Sequence, residues 1–168
     1  MDPTKNTAVY DSIAKGYDIT RRADPYIAGR LLHHLSPKPN EKYLDLGCGS
    51  GNYTLVLKNA GLTLTGADIS QQMLNLAHQK DPSIDWVFAN VESLPFGDKS
   101  FSGATCVLAI HHFANIKAAF KEAARVLAEG PLVVFTATAE QMEVYWLNEY
   151  FPDAMKKSII QMPRRTSY

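Results

Sequence analysis

Cysteine is scarce in this sequence. Cys48 and Cys106 are the two cysteines among 168 residues, and they lie far apart in the chain. A disulfide framework needs more cysteines than two, and zinc sites place theirs in closer pairs. We therefore expect two reduced thiols and no metal site.

An excess of charge and a long apolar run are also missing. The 17 basic residues balance 17 acidic ones, whereas proteins that bind along a phosphate backbone carry excess positive charge. No apolar run approaches the roughly 20 residues that a membrane-spanning helix needs, and residues 1–7 are polar, unlike a signal peptide. These absences predict a cytoplasmic protein with no membrane span and without nucleic acid as its main partner.

The composition that is present fits one globular domain, with 46% apolar and 20% charged residues. A chain of 168 residues suits a single core. We expect N-terminal helices in residues 1–36, a core in residues 40–137, and an aromatic helix with a solvated tail in residues 138–168.

Segments with strand and helix patterns alternate along the chain. Strands are predicted at 42–46, 62–67, 84–89, 101–110 and 131–137. Helices are predicted at 7–19, 26–35, 52–60, 71–79, 115–127 and 140–150, with Ser70 as an N-cap and Gly61 in a left-handed C-terminal cap. Such alternation predicts a Rossmann-like α/β fold, with a parallel sheet and helices on both faces. The strand order that we expect, 3-2-1-4-5, is the one implied by the family resemblance described below.

A glycine-rich run follows the first predicted strand directly and reads Gly47-Cys48-Gly49-Ser50-Gly51. A strand, a glycine-rich turn and a helix form the unit that binds nucleotide-containing cofactors. Glycine lets the backbone adopt positive φ and lets a ligand lie against it. The spacing alone is also compatible with a purely structural turn.

Two acidic residues narrow the choice of ligand. Asp45 lies two residues before the first glycine, and like charges about 4 Å apart cost roughly 4 kcal/mol at an effective dielectric near 20. A pyrophosphate is therefore disfavoured, and a ligand with ammonium and sulfonium groups, such as S-adenosylmethionine, is favoured. Asp68 ends the second strand, where an acid can accept hydrogen bonds from ribose hydroxyls, and Ile69 would contact adenine. The alternatives are that Asp45 caps the loop amides and that Asp68 caps a helix.

These motifs resemble the class I S-adenosylmethionine-dependent methyltransferases, particularly the branch that acts on quinones, sterols and other small molecules. Residues 43–51 are similar to that family's first motif, and residues 67–70 with Met73 to its second. The resemblance runs from about residue 10 to residue 137. It implies S-adenosylmethionine as the cofactor, a small-molecule methyl acceptor, and a sheet that here lacks the family's usual last two strands.

The resemblance also implies individual cofactor contacts. Asn90 would face the adenine amino group, although an aspartate is frequent there, and Val91 would cover the ring. Tyr17 belongs to an N-terminal helix that would cover the cofactor. The full implied set is Tyr17, Asp45, Gly47, Cys48, Gly49, Gly51, Asp68, Ile69, Met73, Asn90, Val91, Glu92 and Ala109.

Two histidines are the candidate catalytic residues. His111 and His112 end a run, residues 108–113, that is similar to the family's fourth motif. Methyl transfer from a sulfonium mainly needs positioning and exclusion of water, and a base only where the acceptor must lose a proton. Histidine can take that proton near neutral pH, and we favour His112 over His111. Packing against the following helix is the alternative role.

The C-terminal part raises two further expectations. Met142, Tyr145, Trp146, Tyr150 and Phe151 either line an apolar acceptor pocket or pack against the fifth strand. An apolar edge strand without charged residues invites pairing with another chain. We therefore expect a homo-oligomer through the strand at 131–137 or the helix at 140–150.

Two other functions compete with methyl transfer. One is a binding or interaction protein that keeps the cofactor fold without a completed acceptor site. The other is a nicotinamide-dependent dehydrogenase, which Asp45 disfavours. The Gly-x-Gly-x-Gly spacing also departs from the Gly-x-Gly-x-x-Gly of such enzymes.

Overall fold

The computed structural model describes residues 22–164, so the predicted helix at 7–19 and its Tyr17 lie outside the described residues. The elements are α1 (Pro25–Leu35), β1 (Lys42–Leu46), α2 (Asn52–Asn59), β2 (Thr63–Asp68), α3 (Gln71–Lys80), β3 (Asp85–Phe88), β4 (Ala104–Val107), α4 (Ile116–Val126), β5 (Leu132–Phe135), α5 (Ala139–Glu143) and α6 (Pro152–Gln161). Short 3₁₀ turns cover Ile110–His112 and Trp146–Glu149. Within residues 22–164, no helix has the length and apolar character needed to cross a membrane.

The strands form one parallel sheet in the order β3-β2-β1-β4-β5, which confirms the predicted fold and order. Parallel pairing places every strand's carboxyl end at the same edge of the sheet. The segments that follow β1, β2 and β4 therefore meet there, as expected for a ligand site of this fold.

Each face of the sheet is covered by its own apolar cluster. Leu31 of α1 and Leu57 of α2 pack with Tyr43 on one face. Ala119 and Val126 of α4 belong to the cluster on the other face. Because successive strand residues point to opposite faces, the central strand β1 is buried along nearly all its length.

The local signals in the sequence confirm several helix ends. Asp24 caps α1 by accepting a hydrogen bond from the Tyr26 amide at 2.8 Å, and Pro25 occupies the first turn. Ser70 caps α3 through the Met73 amide. Gly61 follows α2 with φ of 99°, a conformation that favours glycine.

The predicted strand at 101–110 is too long. Leu108 adopts a left-handed conformation with φ of 52°, which ends β4 and turns the chain into the 3₁₀ turn at Ile110–His112. At the other end, Phe101 forms only an isolated bridge with Leu127. An apolar run cannot reveal such a backbone reversal, because the side chains on either side remain apolar.

The predicted helix at 140–150 is also wrong. It breaks after Glu143, and the Asn148 side-chain amide donates to the carbonyls of Met142 and Tyr145 at 2.8 and 2.7 Å. Pro152 then starts α6 within the region expected to be a solvated tail, because proline suits the first helical turn.

Candidate functional site

The glycine loop is fastened to the carboxyl edge of the sheet. The amides of Gly47 and Cys48 both donate to the Ala67 carbonyl, at 2.8 and 3.1 Å. The loop therefore begins as a continuation of the pairing between β1 and β2.

The three glycines of the loop are required for different structural reasons. All have positive φ, between 54° and 76°. A Cβ at Gly47 would lie 2.6 Å from the Ala109 Cβ, and one at Gly51 would lie 2.5 Å from the Trp86 ring. Among the described residues, nothing lies within 4 Å of a Cβ built at Gly49. Packing thus explains Gly47 and Gly51, whereas Gly49 leaves backbone accessible to a ligand.

Asp45 is a buried carboxylate beneath this loop. Its two oxygens accept hydrogen bonds from the Thr54 hydroxyl at 2.6 Å and the Thr105 hydroxyl at 2.9 Å. Burial raises the pKa of Asp45 to about 6, although both hydroxyls oppose the shift. The amides of Gly47, Cys48 and Gly49 have other acceptors, so Asp45 is not the cap of these amides.

Asp68 joins the loop to α3. One carboxylate oxygen accepts from the Gly49 amide and the other from the Ser70 amide, both at 2.8 Å. Burial raises the pKa of Asp68, and these backbone hydrogen bonds oppose the shift. Each oxygen has further acceptor capacity, so the capping role and a contact to ribose hydroxyls are compatible.

The surroundings of the loop suit a cation better than an anion. Asp45 and Asp68 lie close enough for the charge of Asp68 to raise the pKa of Asp45. Burial and the same two carboxylates raise the pKa of Cys48 well above its ordinary value, which keeps the thiol protonated. A positively charged ligand would relieve the repulsion between the carboxylates.

The remaining predicted cofactor contacts surround the same edge. Ile69 is exposed after β2, and Met73 and Val91 are buried. The Asn90 side-chain oxygen accepts from the Glu92 amide at 2.9 Å. Glu92 in turn accepts from the Asn115 amide at 2.7 Å, at the start of α4. Asn90 and Glu92 therefore have internal partners that shape the segment.

The two histidines stand beside the loop on the 3₁₀ turn after β4. Both are partly buried, and their ring centroids are 3.8 Å apart. The His112 amide donates to the carbonyl of Ala109, whose side chain packs against Gly47. The turn thus brings the predicted catalytic residues to the predicted cofactor loop.

An ion pair on α4 holds the segment that follows Asn90, and sequence reasoning assigned it no role. Arg125 donates to the carbonyls of Leu94 and Phe96 at 3.1 and 2.8 Å. Glu122 pairs with Arg125 and accepts from the Leu94 amide at 3.0 Å. Arg125 chiefly holds the pKa of Glu122 down to about 2. The sequence signal for this ion pair is that Glu122 and Arg125 carry opposite charges three positions apart on one predicted helix.

Two other contacts to the loop have no local signal in the sequence. The Lys80 ammonium, at the end of α3, donates to the Ser50 carbonyl at 2.8 Å and the Asn52 side chain at 2.7 Å. The Trp86 ring lies against both Gly66, its partner across the strands, and Gly51. Both contacts arise only when distant segments come together.

The aromatic C-terminal segment divides into two parts. Met142 and Tyr145 join Leu108 and Phe135 around a cavity of about 340 Å³. Trp146, Tyr150 and Phe151 are exposed instead, so they neither line this cavity nor fill a core among the described residues.

A parallel sheet of this order, with a glycine loop above the buried Asp45 and the half-buried Asp68, defines a Rossmann-like α/β protein. Residues 44–135 match the family described as Methyltransferase domain. The chain belongs to this family.

Named relatives agree with this assignment. Demethylmenaquinone methyltransferase of Corynebacterium glutamicum is 33% identical over 134 residues, which cover 77% of this chain and 57% of that protein. Malonyl-[acyl-carrier protein] O-methyltransferase of Erwinia pyrifoliae is 29% identical over 133 residues, covering 79% and 51%. A crystal structure of a proposed methyltransferase from an antibiotic biosynthesis pathway of Anabaena variabilis superposes with a TM-score of 0.79 at 30% identity, covering 86% and 58%. The chain spans about half the length of the curated relatives it matches.

Proposed function

We propose that this chain takes part in methyl transfer from S-adenosylmethionine to a small-molecule acceptor. The observation that carries the proposal is the accessible backbone at Gly49 above the buried Asp45 and the half-buried Asp68, in a chain of the methyltransferase-domain family. A cofactor with positive charge suits this electrostatic environment. A pyrophosphate would add a third negative group beside the two carboxylates.

The proposed cofactor contacts lie along the carboxyl edge of the sheet, from the segment after β1 to the segments after β2 and β3. The amino-acid end lies over residues 47–51, and the ribose hydroxyls meet Asp68. The adenine lies between the exposed Ile69 and residues 90–92. This arrangement uses the exposure of Ile69 and the segment that the Glu122–Arg125 pair fastens to α4.

S-adenosylmethionine supplies an activated methyl group on a sulfonium when it is bound. The chain's own task is to hold the acceptor in line with that group and to exclude water. His112 would take the proton from an acceptor hydroxyl, with the His111 ring beside it at an interplanar angle of 52°.

Two measurements test the proposal. Calorimetric titration should show binding of S-adenosylhomocysteine and none of NAD. Transfer of a labelled methyl group from S-adenosylmethionine into a metabolite extract should follow, and it should fall in His112→Ala. Preference for NAD, or cofactor binding without any transfer, would contradict methyl transfer.

The setting and assembly of the protein belong to the same proposal. We place it in the cytoplasm, which the two free cysteines support. Homo-oligomer formation is supported by β5, which among the described residues pairs with β4 alone. The exposed aromatic side chains of residues 145–151 offer a second contact surface.

A further inference from the structure

An open cavity at the carboxyl ends of β4 and β5 is lined, among residues 22–164, by uncharged side chains. Its apolar wall consists of Leu108, Phe135, Met142 and Tyr145. Thr136 and Gln141 add neutral polar groups, and the side-chain Oε1 of Gln141 already accepts from the Thr138 amide at 2.9 Å. A volume of about 340 Å³ falls within the range of small-molecule sites.

One residue connects this cavity to the glycine loop. Leu108 lines the cavity, and its amide donates to the Phe135 carbonyl at 2.8 Å. The next residue, Ala109, packs against Gly47. Two adjacent residues thus contact the cavity and the glycine loop, Leu108 the cavity and Ala109 the loop. A molecule in the cavity therefore lies beside the proposed cofactor site.

The conformation of Leu108 is unusual for its residue type. Its φ of 52° lies in the left-handed region, which leucine rarely adopts. Backbone of this kind persists where the surrounding structure enforces it, and it clusters at ligand sites. Here it holds a branched apolar side chain, 45% exposed, at the cavity wall.

We infer that this cavity binds the apolar, uncharged body of the methyl acceptor and that Leu108 determines its fit. The inference rests on the proposed function, which it deepens by naming the acceptor's class. A carboxylate or phosphate entering the cavity would lose hydration without a charged partner in the lining. Neutral apolar compounds are therefore accepted, and compounds with an anionic group at the end that enters the cavity are rejected.

A pair of matched fluorescent probes tests the charge rule on the 168-residue chain. The probes are 2-naphthol, which is neutral, and 6-hydroxy-2-naphthoate, which carries a carboxylate. We expect 2-naphthol to bind at least about tenfold more tightly, with or without S-adenosylhomocysteine. Equal affinities, or a preference for the naphthoate, would overturn the inference.

Variants assign the effect to Leu108. Leu108→Glu should weaken 2-naphthol binding by about tenfold or more, and Leu108→Asn should weaken it while keeping a residue that tolerates positive φ. Val144→Glu is the matched control, because Val144 is 85% exposed and is not part of the lining. Equal losses in the Leu108 and Val144 variants would overturn the role of Leu108.

The cofactor assay separates this inference from the proposed function. S-adenosylhomocysteine affinity should stay unchanged in Leu108→Asn, which also shows that the variant is folded. If the wild-type chain did not bind S-adenosylhomocysteine, the proposed function would fail. The relative affinities for 2-naphthol and 6-hydroxy-2-naphthoate would still show whether the cavity prefers neutral over anionic compounds.

Discussion

Asp45 should destabilise the folded protein at neutral pH. Burial raises its pKa from 3.8 to about 6, so the folded chain holds the proton more tightly than the unfolded chain. Its contribution to stability is therefore full at low pH and is lost as the pH rises through about 6. One pKa unit corresponds to about 1.4 kcal/mol, so the ionised carboxylate lowers the free energy of unfolding by about 3 kcal/mol at pH 8.

Asp45→Asn should remove this penalty. The amide has the same shape, and it can accept from one threonine hydroxyl and donate to the other. We expect the free energy of unfolding in urea to rise by roughly 1–3 kcal/mol at pH 8. The gain should shrink to near zero as the pH falls below about 3, where Asp45 is protonated in both states.

The same variant should bind S-adenosylmethionine less well. Its loss of affinity should exceed the loss for uncharged adenosine, because only the cofactor has positive groups for the carboxylate to attract. Asp85→Asn, on the exposed start of β3, is the control and should change stability by no more than about 0.5 kcal/mol. A less stable Asp45→Asn at pH 8, or equal losses for the two ligands, would refute the reasoning.

Further predictions concern the cofactor contacts and the assembly. Asp68→Ala should weaken S-adenosylhomocysteine binding by roughly 1.5–3 kcal/mol in calorimetry. Asp68→Asn can still accept from the Gly49 amide, so it should lose less affinity. An unchanged affinity in Asp68→Ala would contradict the ribose contact. S-adenosylmethionine affinity should fall about tenfold between pH 7.5 and pH 5, because Asp45 with its pKa of about 6 becomes protonated; a flat profile would show that its charge is not used. Arg125→Leu should weaken S-adenosylhomocysteine binding because residues 94 and 96 lose an anchor, and Arg125→Lys should recover part of the loss; equal affinities for all three proteins would remove this positioning role. Sedimentation at micromolar concentration should show a dimer, and Trp146→Lys should dissociate it if the aromatic segment forms the contact; a monomeric wild type would contradict homo-oligomer formation.

Local chemistry made the centre of the fold predictable. β1 begins at Lys42 and ends at Leu46 as predicted, because a short apolar run is bounded there by a charge and by glycine. Ser70 and Gly61 marked helix ends through side-chain capping and positive φ, which depend on neighbours in the chain. The parallel sheet followed from the alternation of strands and helices, and its order was implied by the family resemblance.

The errors and omissions arose where distant contacts decide the structure. Leu108 is apolar whether it continues a strand or reverses the chain, so the end of β4 was placed too late. The Asn148 amide ends α5 by a contact that no periodicity encodes. Lys80 and Ser50 are 30 residues apart, and only the folded sheet shows that they meet. For Asp45 the sequence predicted the location, but not the two threonine hydroxyls that hold it.

The Trp86 ring restricts the substitutions at two glycines, Gly51 and Gly66, that lie apart in the sequence. While the indole is present, a Cβ at either Gly66 or Gly51 would come within 2.5 Å of it. A smaller residue at 86 would remove the clash with the indole at both positions, yet Gly51 keeps a φ of 76°, which still favours glycine. A Cβ at Gly66 would still lie 3.0 Å from the Cys48 Sγ, so alanine there also requires a small shift of that side chain. A substitution at position 66 therefore requires an earlier change to a smaller residue at position 86. Position 51 stays glycine whichever residue is at position 86. In a library that varies these three positions independently, we expect folded chains with alanine at position 66 to carry a smaller residue at position 86.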